Sequence, residues 1–113
     1  MGDRGSVRVR EGDGPSVYLY THWKGSELSE IVRRALASEA GRNRWNDAPY
    51  LTRIIFDELT RGEQGGETGY GISASQIETV TVDVNVATQT VTLASTGARL
   101  SFREYVNADA MRG

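Results

Sequence analysis

The amino-acid sequence predicts an α+β domain: a mostly antiparallel sheet of about five strands, in the order ββααβββ, with two helices packed on one face. Three observations lead there. Valines alternate with polar residues at period two in two separate places, Val7 and Val9 and then Val80, Val82, Val84 and Val86. Between them Leu28, Ile31, Val32, Ala35 and Leu36 recur at helical spacing. The links between most strands are short enough to be hairpin turns.

Taken in order, Val7 and Val9 with Arg8 and Arg10 form a half-buried strand that stops at the turn-rich run Glu11-Gly12-Asp13-Gly14-Pro15. From Ser16 to Trp23 a second strand is expected, with Val17, Leu19, Thr21 and Trp23 on one face and Tyr18, Tyr20 and His22 on the other. Gly25 ends it, Ser26 is the expected N-cap of the first helix, Glu27 and Glu30 suit the helix dipole, and Gly41 is the expected C-terminal stop. Asn46 or Asp47 caps the second helix, Pro49 fits its first turn, and Leu51, Ile54, Ile55 and Leu59 form its buried stripe, broadened by Tyr50 and Phe56, before Gly62.

From Gly62 to Gln76 the chain has five glycines and no apolar periodicity, the pattern of a long, functional or disordered loop. Val80 to Val86 and Thr90 to Leu93 then make a hairpin around Ala87-Thr88-Gln89. A last strand follows Thr96-Gly97, with Leu100 and Phe102 inward. Residues 1–113 are read as a single domain, with 1–5 and 107–113 frayed.

Composition excludes several chemistries. The absence of cysteine removes disulfides, thiolate catalysis, cysteine-zinc sites and iron-sulfur clusters. His22 is the only histidine, which leaves at most one imidazole working with a carboxylate; no metal site and no cofactor is expected. A formal net charge of -2 provides no general field to draw in nucleic acid, and no apolar run reaches the roughly 20 residues of a membrane-spanning helix or forms a leader's apolar core. A cytoplasmic protein that binds neither membrane nor nucleic acid is the expectation.

Two regions concentrate residue types that bind ligands. Tyr20, His22, Trp23 and the single lysine, Lys24, occupy the end of the second strand; Arg42, Arg44, Trp45 and Arg53 surround the start of the second helix. Aromatic faces stack on a base and guanidinium groups hold phosphate, so together they suit a small anionic, nucleotide-like ligand. Gly69, Tyr70 and Gly71 would lie in the loop closing over it. The competing reading puts the tyrosines and Trp45 in the core and leaves the arginines solvated.

Gly69-Tyr70-Gly71-Ile72-Ser73-Ala74 formally matches a G-x-G-x-x-A dinucleotide fingerprint, but no helix is expected after it, so the match is read as chance. The segments Val17-Tyr18-Leu19-Tyr20-Thr21-His22-Trp23, Arg44-Trp45-Asn46-Asp47-Ala48-Pro49-Tyr50-Leu51 with Arg53-Ile54-Ile55-Phe56, and Glu67-Thr68-Gly69-Tyr70-Gly71-Ile72-Ser73 resemble a family of small uncharacterised phage and bacterial proteins. That resemblance implies a compact accessory protein and carries no residue role.

Three functions compete. The first is a non-enzymatic, homo-oligomeric protein that sequesters a small nucleotide-like anion. The second is an interaction module or inhibitor of a host protein complex, acting through the edge of the valine-rich hairpin or the Trp45 loop. The third is a small enzyme using His22 with a neighbouring carboxylate.

Overall fold

A computed structural model describes residues 2–108. They form one six-stranded sheet, in the spatial order β3-β2-β1-β4-β5-β6, from β1 (Gly5–Arg10), β2 (Ser16–Thr21), β3 (Tyr70–Ser73), β4 (Val80–Asn85), β5 (Thr90–Leu93) and β6 (Arg99–Ser101). Four helices accompany it: α1 (Leu28–Ala37), α2 (Glu39–Arg42), α3 (Ala48–Leu59) and α4 (Phe102–Val106). The α+β class is as expected. The sheet, however, has six strands rather than about five, and it is mixed: β1 and β4 run parallel while every other neighbouring pair is antiparallel.

The parallel seam follows from burial. Val7 and Val9 face the same side as Val82 and Val84, directly opposite them in register, and all four are buried. Strands this apolar need neighbours on both sides, so β1 and β4 meet at the centre and each hairpin partner is pushed outward. Leu28, Ile31, Val32, Ala35 and Leu36 of α1 and Leu51, Ile55 and Leu59 of α3 close the core from one face, all 0 or 1% exposed. Each such leucine, isoleucine or valine contributes about 1.5 to 3 kcal/mol relative to exposure.

Several boundaries differ from the sequence pattern. Ser26 lies in a short 3₁₀ turn before α1 and does not cap it; its hydroxyl donates to the carboxylate of Asp3, whose acidity those bonds from the Ser26 hydroxyl and amide increase. Asp3 also joins the backbone of His22 (2.8 Å) and Gly25 (2.7 Å), so residues 3–5 are tied down rather than frayed. The expected fraying at 107–113 falls largely outside the described residues; Asn107 itself bonds back to α4.

Gly41 is not the stop of α1. That helix ends at Ala37, Ser38 caps α2 by accepting from Gly41 N–H (3.0 Å), and Gly41 is buried inside α2. Asp47 caps α3 as one of the two expected candidates, accepting from Tyr50 N–H. The strand ending in Phe102 is also revised: β6 stops at Ser101, and Phe102 opens α4 because Ser101 and Glu104 form a reciprocal capping box, at 3.1 and 2.9 Å. Ser101→Ala should cost about 1 kcal/mol, read as a lower urea midpoint with an unchanged slope.

Finally, β3 lies inside the segment expected to be a loop. Four residues containing a glycine are too few to show alternation, but the outer edge of β2 leaves backbone groups that β3 satisfies, Leu19 opposite Ile72 and Tyr20 opposite Gly71. The link from β3 to β4 then has to pass β2 and β1. Ser6 anchors it: its hydroxyl, wholly buried, lies 3.1 and 3.2 Å from the carbonyls of Glu78 and Thr79.

Candidate functional site

The end of β2 gathers most of the aromatic and charged residues singled out above. Thr21 is buried, and its hydroxyl oxygen accepts from the amides of Trp23 and Lys24, both at 3.1 Å, which turns the chain sharply after the strand. His22 then stacks on Tyr20 (centroids 5.8 Å apart, 28° between planes) and meets the edge of Trp23 at 6.0 Å. Trp23 remains 51% exposed.

The glycines of the apparent dinucleotide fingerprint serve these rings. A Cβ on Gly69, which has φ of +100°, would fall 2.0 Å from the indole nitrogen of Trp23, and one on Gly71 would fall 2.2 Å from the ring of Tyr20. Their open sides are therefore filled by aromatic rings, and the chain continues into β3 rather than a helix, as the chance-match reading requires.

Two carboxylates that the sequence pattern did not single out organise the charges. Glu78, in the β3–β4 link, takes the Nε2 of His22 at 3.3 Å and Nη1 of Arg4 at 3.2 Å. Glu63, beyond α3, accepts from Lys24 Nζ at 3.0 Å and from the Tyr70 hydroxyl at 2.7 Å. Lys24 Nζ also donates to the Leu59 carbonyl at 3.1 Å, at the negative end of α3, and lies 5.4 Å from the centre of the Tyr70 ring. Neither carboxylate could be assigned from sequence, because each lies tens of residues from its cation and in a stretch without periodicity.

These contacts shift acidities in a consistent direction. The Tyr70 hydroxyl, then the Lys24 ammonium, hold the Glu63 carboxyl below its usual range. Partial burial opposes the charge on Lys24, but the hydrogen bond and attraction from Glu63, with Tyr70, outweigh it and leave the ammonium harder to deprotonate. Burial and the Glu63 hydrogen bond together raise Tyr70.

A depressed folded-state carboxyl contributes fully above its unfolded value of roughly 4.3 and loses that contribution as pH falls through the lower folded value. For Lys24 the contribution is complete below roughly pH 10.4 and is lost as pH rises through the higher folded value. The contact is thus intact across neutral pH, and a carbon-13 carboxyl titration should place the Glu63 midpoint below that of a glutamate in the unfolded chain.

The second group lies elsewhere. Trp45 donates its indole N–H to the Leu36 carbonyl at 3.0 Å and meets the Phe102 ring edge-on at 5.6 Å, packed against the core near the β4–β5 turn, where Gln89 reaches its carbonyl. Arg42 lies over the Trp45 ring and bonds the Ala37 carbonyl; Arg44 lies over Tyr50 and pairs with Asp47; Arg53 pairs with Asp57 one turn on. The expected convergence on His22 and Lys24 is therefore overturned for Arg44 and Trp45, while Arg53 is tied to Asp57 rather than to either of them. α3 runs the opposite way: its last turn, at Leu59, reaches Lys24, while its first turn lies beside the β1–β2 turn.

Cavities open at several places among the described residues. One of 350 Å³ lies between Val9, Pro15, Val17 and the Ala48-Pro49 start of α3. A shallow groove of 330 Å³ runs between α1 and α3, where Glu58 joins Arg34 and Arg61. A third, of 220 Å³, lies beneath residues 63–66 against Phe56, Thr60 and Tyr70.

Outward-facing apolar groups cluster differently. Among the described residues the strongly exposed large hydrophobic side chains are Trp23, against Gly69 just before β3, Ile72 within β3, Ile77 in the link that follows it, and Tyr50 in α3. No protein-family model, no curated protein and no solved structure shows significant similarity to this chain.

Proposed function

We propose that this chain is a binding protein that recognises another protein through the free margin of β3. The observation that carries this reading is the gathering of Trp23 on Gly69, Ile72 within β3 and Ile77 in the link leaving it, 51, 59 and 55% exposed, around a strand that ends the sheet. An edge strand presents main-chain donors and acceptors, and a segment added to it gains affinity from the ladder and specificity from alternate side chains.

The two edges differ in the way this requires. β6 is three residues long, carries exposed Arg99 and runs straight into α4, features that discourage pairing. β3, Tyr-Gly-Ile-Ser, carries no charge. The other surfaces expected for such a role give less support: β4 is flanked by β1 and β5, so the valine-rich hairpin offers no edge there, and Trp45 is turned into the protein.

A phage-displayed library of extended peptides tests the reading. Selected peptides should shift the backbone amides of residues 70–73 in two-dimensional NMR, and Ile72→Lys should weaken them about tenfold or more without changing the melting temperature. Shifts centred on β6, or binding indifferent to Ile72→Lys, would overturn it.

The stack of Tyr20, His22 and half-exposed Trp23 beside Lys24 favours a second reading, a small nucleotide-like anion held at the same end of the sheet. Cyclic and linear nucleotides at hundreds of micromolar should then raise the melting temperature, an effect lost in Trp23→Ala. The remaining alternative, catalysis by His22, has its carboxylate partner in Glu78, but Arg4 shares that carboxylate.

A further inference from the structure

We infer that the Lys24 ammonium and the Tyr70 hydroxyl form an oxyanion seat that the protein fills with its own Glu63 carboxylate, and that an external carboxylate or phosphate enters when residues 62–68 swing away. The inference deepens the small-anion reading, on which it rests, and does not depend on strand addition at β3.

The seat exists independently of its occupant. Lys24 Nζ is positioned by the Leu59 carbonyl at 3.1 Å and by the Tyr70 ring, and Tyr70 is positioned by the pairing of β3 with β2, opposite Thr21. Both donors converge on one oxygen, Oε2 of Glu63, at 3.0 and 2.7 Å. Two donors aimed at one carboxylate oxygen are the arrangement that holds any oxyanion, and a partly desolvated ammonium strengthens it.

The occupant, by contrast, is held locally. Residues 61–68 are all exposed, and the backbone bonds of Glu63 and Gly66 join only to Thr60 and to Glu63 itself. Gly62 and Gly65 have φ of +81° and +92°, the left-handed region that glycine enters at little cost, and nothing packs within 4 Å of a Cβ position at either, so the backbone has conformational freedom at both ends of the Glu63 turn. Beneath it, the 220 Å³ cavity against Phe56, Thr60 and Tyr70 has room for the body of a small ligand; Asp57 on its wall is paired with Arg53.

Charge is what excludes competitors while Glu63 is seated. With the carboxylate in place the ammonium is neutralised, and an external anion must displace it; without it, the Lys24 ammonium and the Tyr70 hydroxyl lose their shared carboxylate oxygen, beside the cavity that Tyr70 helps to line. The segment thus acts as an internal competitor that sets the concentration at which an external ligand binds.

Titration with inorganic phosphate at neutral pH, followed by the amide signals of Gly65, Gly66 and Gly69 and the side-chain signals of Tyr70, tests this. Glu63→Ala should bind phosphate about tenfold more tightly than the wild-type protein, Glu63→Gln should fall between them, and Lys24→Ala added to Glu63→Ala should abolish the gain. Circular dichroism and melting curves establish that each variant is folded; Glu63→Gln keeps hydrogen-bonding capacity should the alanine variant fail. Affinity unchanged in the Glu63 variants, or a gain that survives Lys24→Ala, would overturn the seat. Nucleotides that stabilise the wild-type protein through Trp23 while phosphate ignores Glu63 would remove the seat and leave the small-anion reading standing; no anion affecting any variant would remove both.

Discussion

Trp45→Ala should lower the folding free energy by about 3 kcal/mol or more, with the melting temperature falling by roughly 10 °C or more. The indole fills the space between the end of α1 and Phe102, its N–H satisfies the Leu36 carbonyl at 3.0 Å, and Arg42 covers its outer face. Truncation removes the packing of a large aromatic side chain and leaves that carbonyl without this donor. Thermal and urea unfolding monitored by far-ultraviolet circular dichroism provide the measurement. A loss below about 1 kcal/mol would mean that the core closes without Trp45 and would return this residue to the candidates for surface recognition.

Gly41→Ala is expected to destabilise by about 3 kcal/mol, and its sign is as informative as its size. Within a helix, alanine is favoured over glycine by about 1 kcal/mol, so local propensity alone predicts a more stable protein. The tertiary structure reverses this: a Cβ at position 41 would sit 1.9 Å from the Ala35 carbonyl oxygen and 3.0 Å from Ser38 Oγ, where α2 folds back on α1. Those atoms belong to a helix end fixed by Ser38, whose hydroxyl donates to Ala35 at 2.7 Å, and they cannot move without breaking that contact. A urea midpoint at or above that of the wild-type protein would show that α2 can lift away from α1 freely.

Much of the secondary structure was legible because each element's own residues specify it. The stripe of α1 survives intact in the core, Asp47 begins α3, and Val82, Val84 and Val86 point inward as their alternation requires. Periodicity reports which face of an element avoids water, and that information is local. Where it failed, the element was too short or two local signals competed: β3 shows no pattern over four residues, and the capping box of Ser101 and Glu104 that turns Phe102 from strand to helix competes with an alternation that also points Phe102 inward.

The candidate site divides along the same line. Tyr20, His22, Trp23 and Lys24 are contiguous, so their proximity to one another was determined by sequence alone; that Gly69, Tyr70 and Gly71 join them was determined by the pairing of β2 with β3. Residue type placed Arg44, Trp45 and Arg53 in the same hypothetical pocket, because guanidinium and indole groups look equally available in a string of letters. In the folded chain the start of α3, with Arg44 and Trp45 just before it, lies at the end away from Lys24, and each arginine finds an acid or a ring within a few residues.

By itself, then, the sequence determined an α+β class, the two principal helices, the faces of the valine strands and the absence of cysteine chemistry. The tertiary structure alone decided the parallel seam of β1 and β4, the packing of Trp45 against the core and the distant partners of Lys24 and His22. Lys24 with Glu63 and His22 with Glu78 are pairs separated by long stretches of chain, and no periodicity encodes them. The physical reason is that hydrophobic patterning fixes the orientation of each element toward a core, whereas the contacts between elements depend on which packed arrangement satisfies every buried strand edge and carbonyl at once.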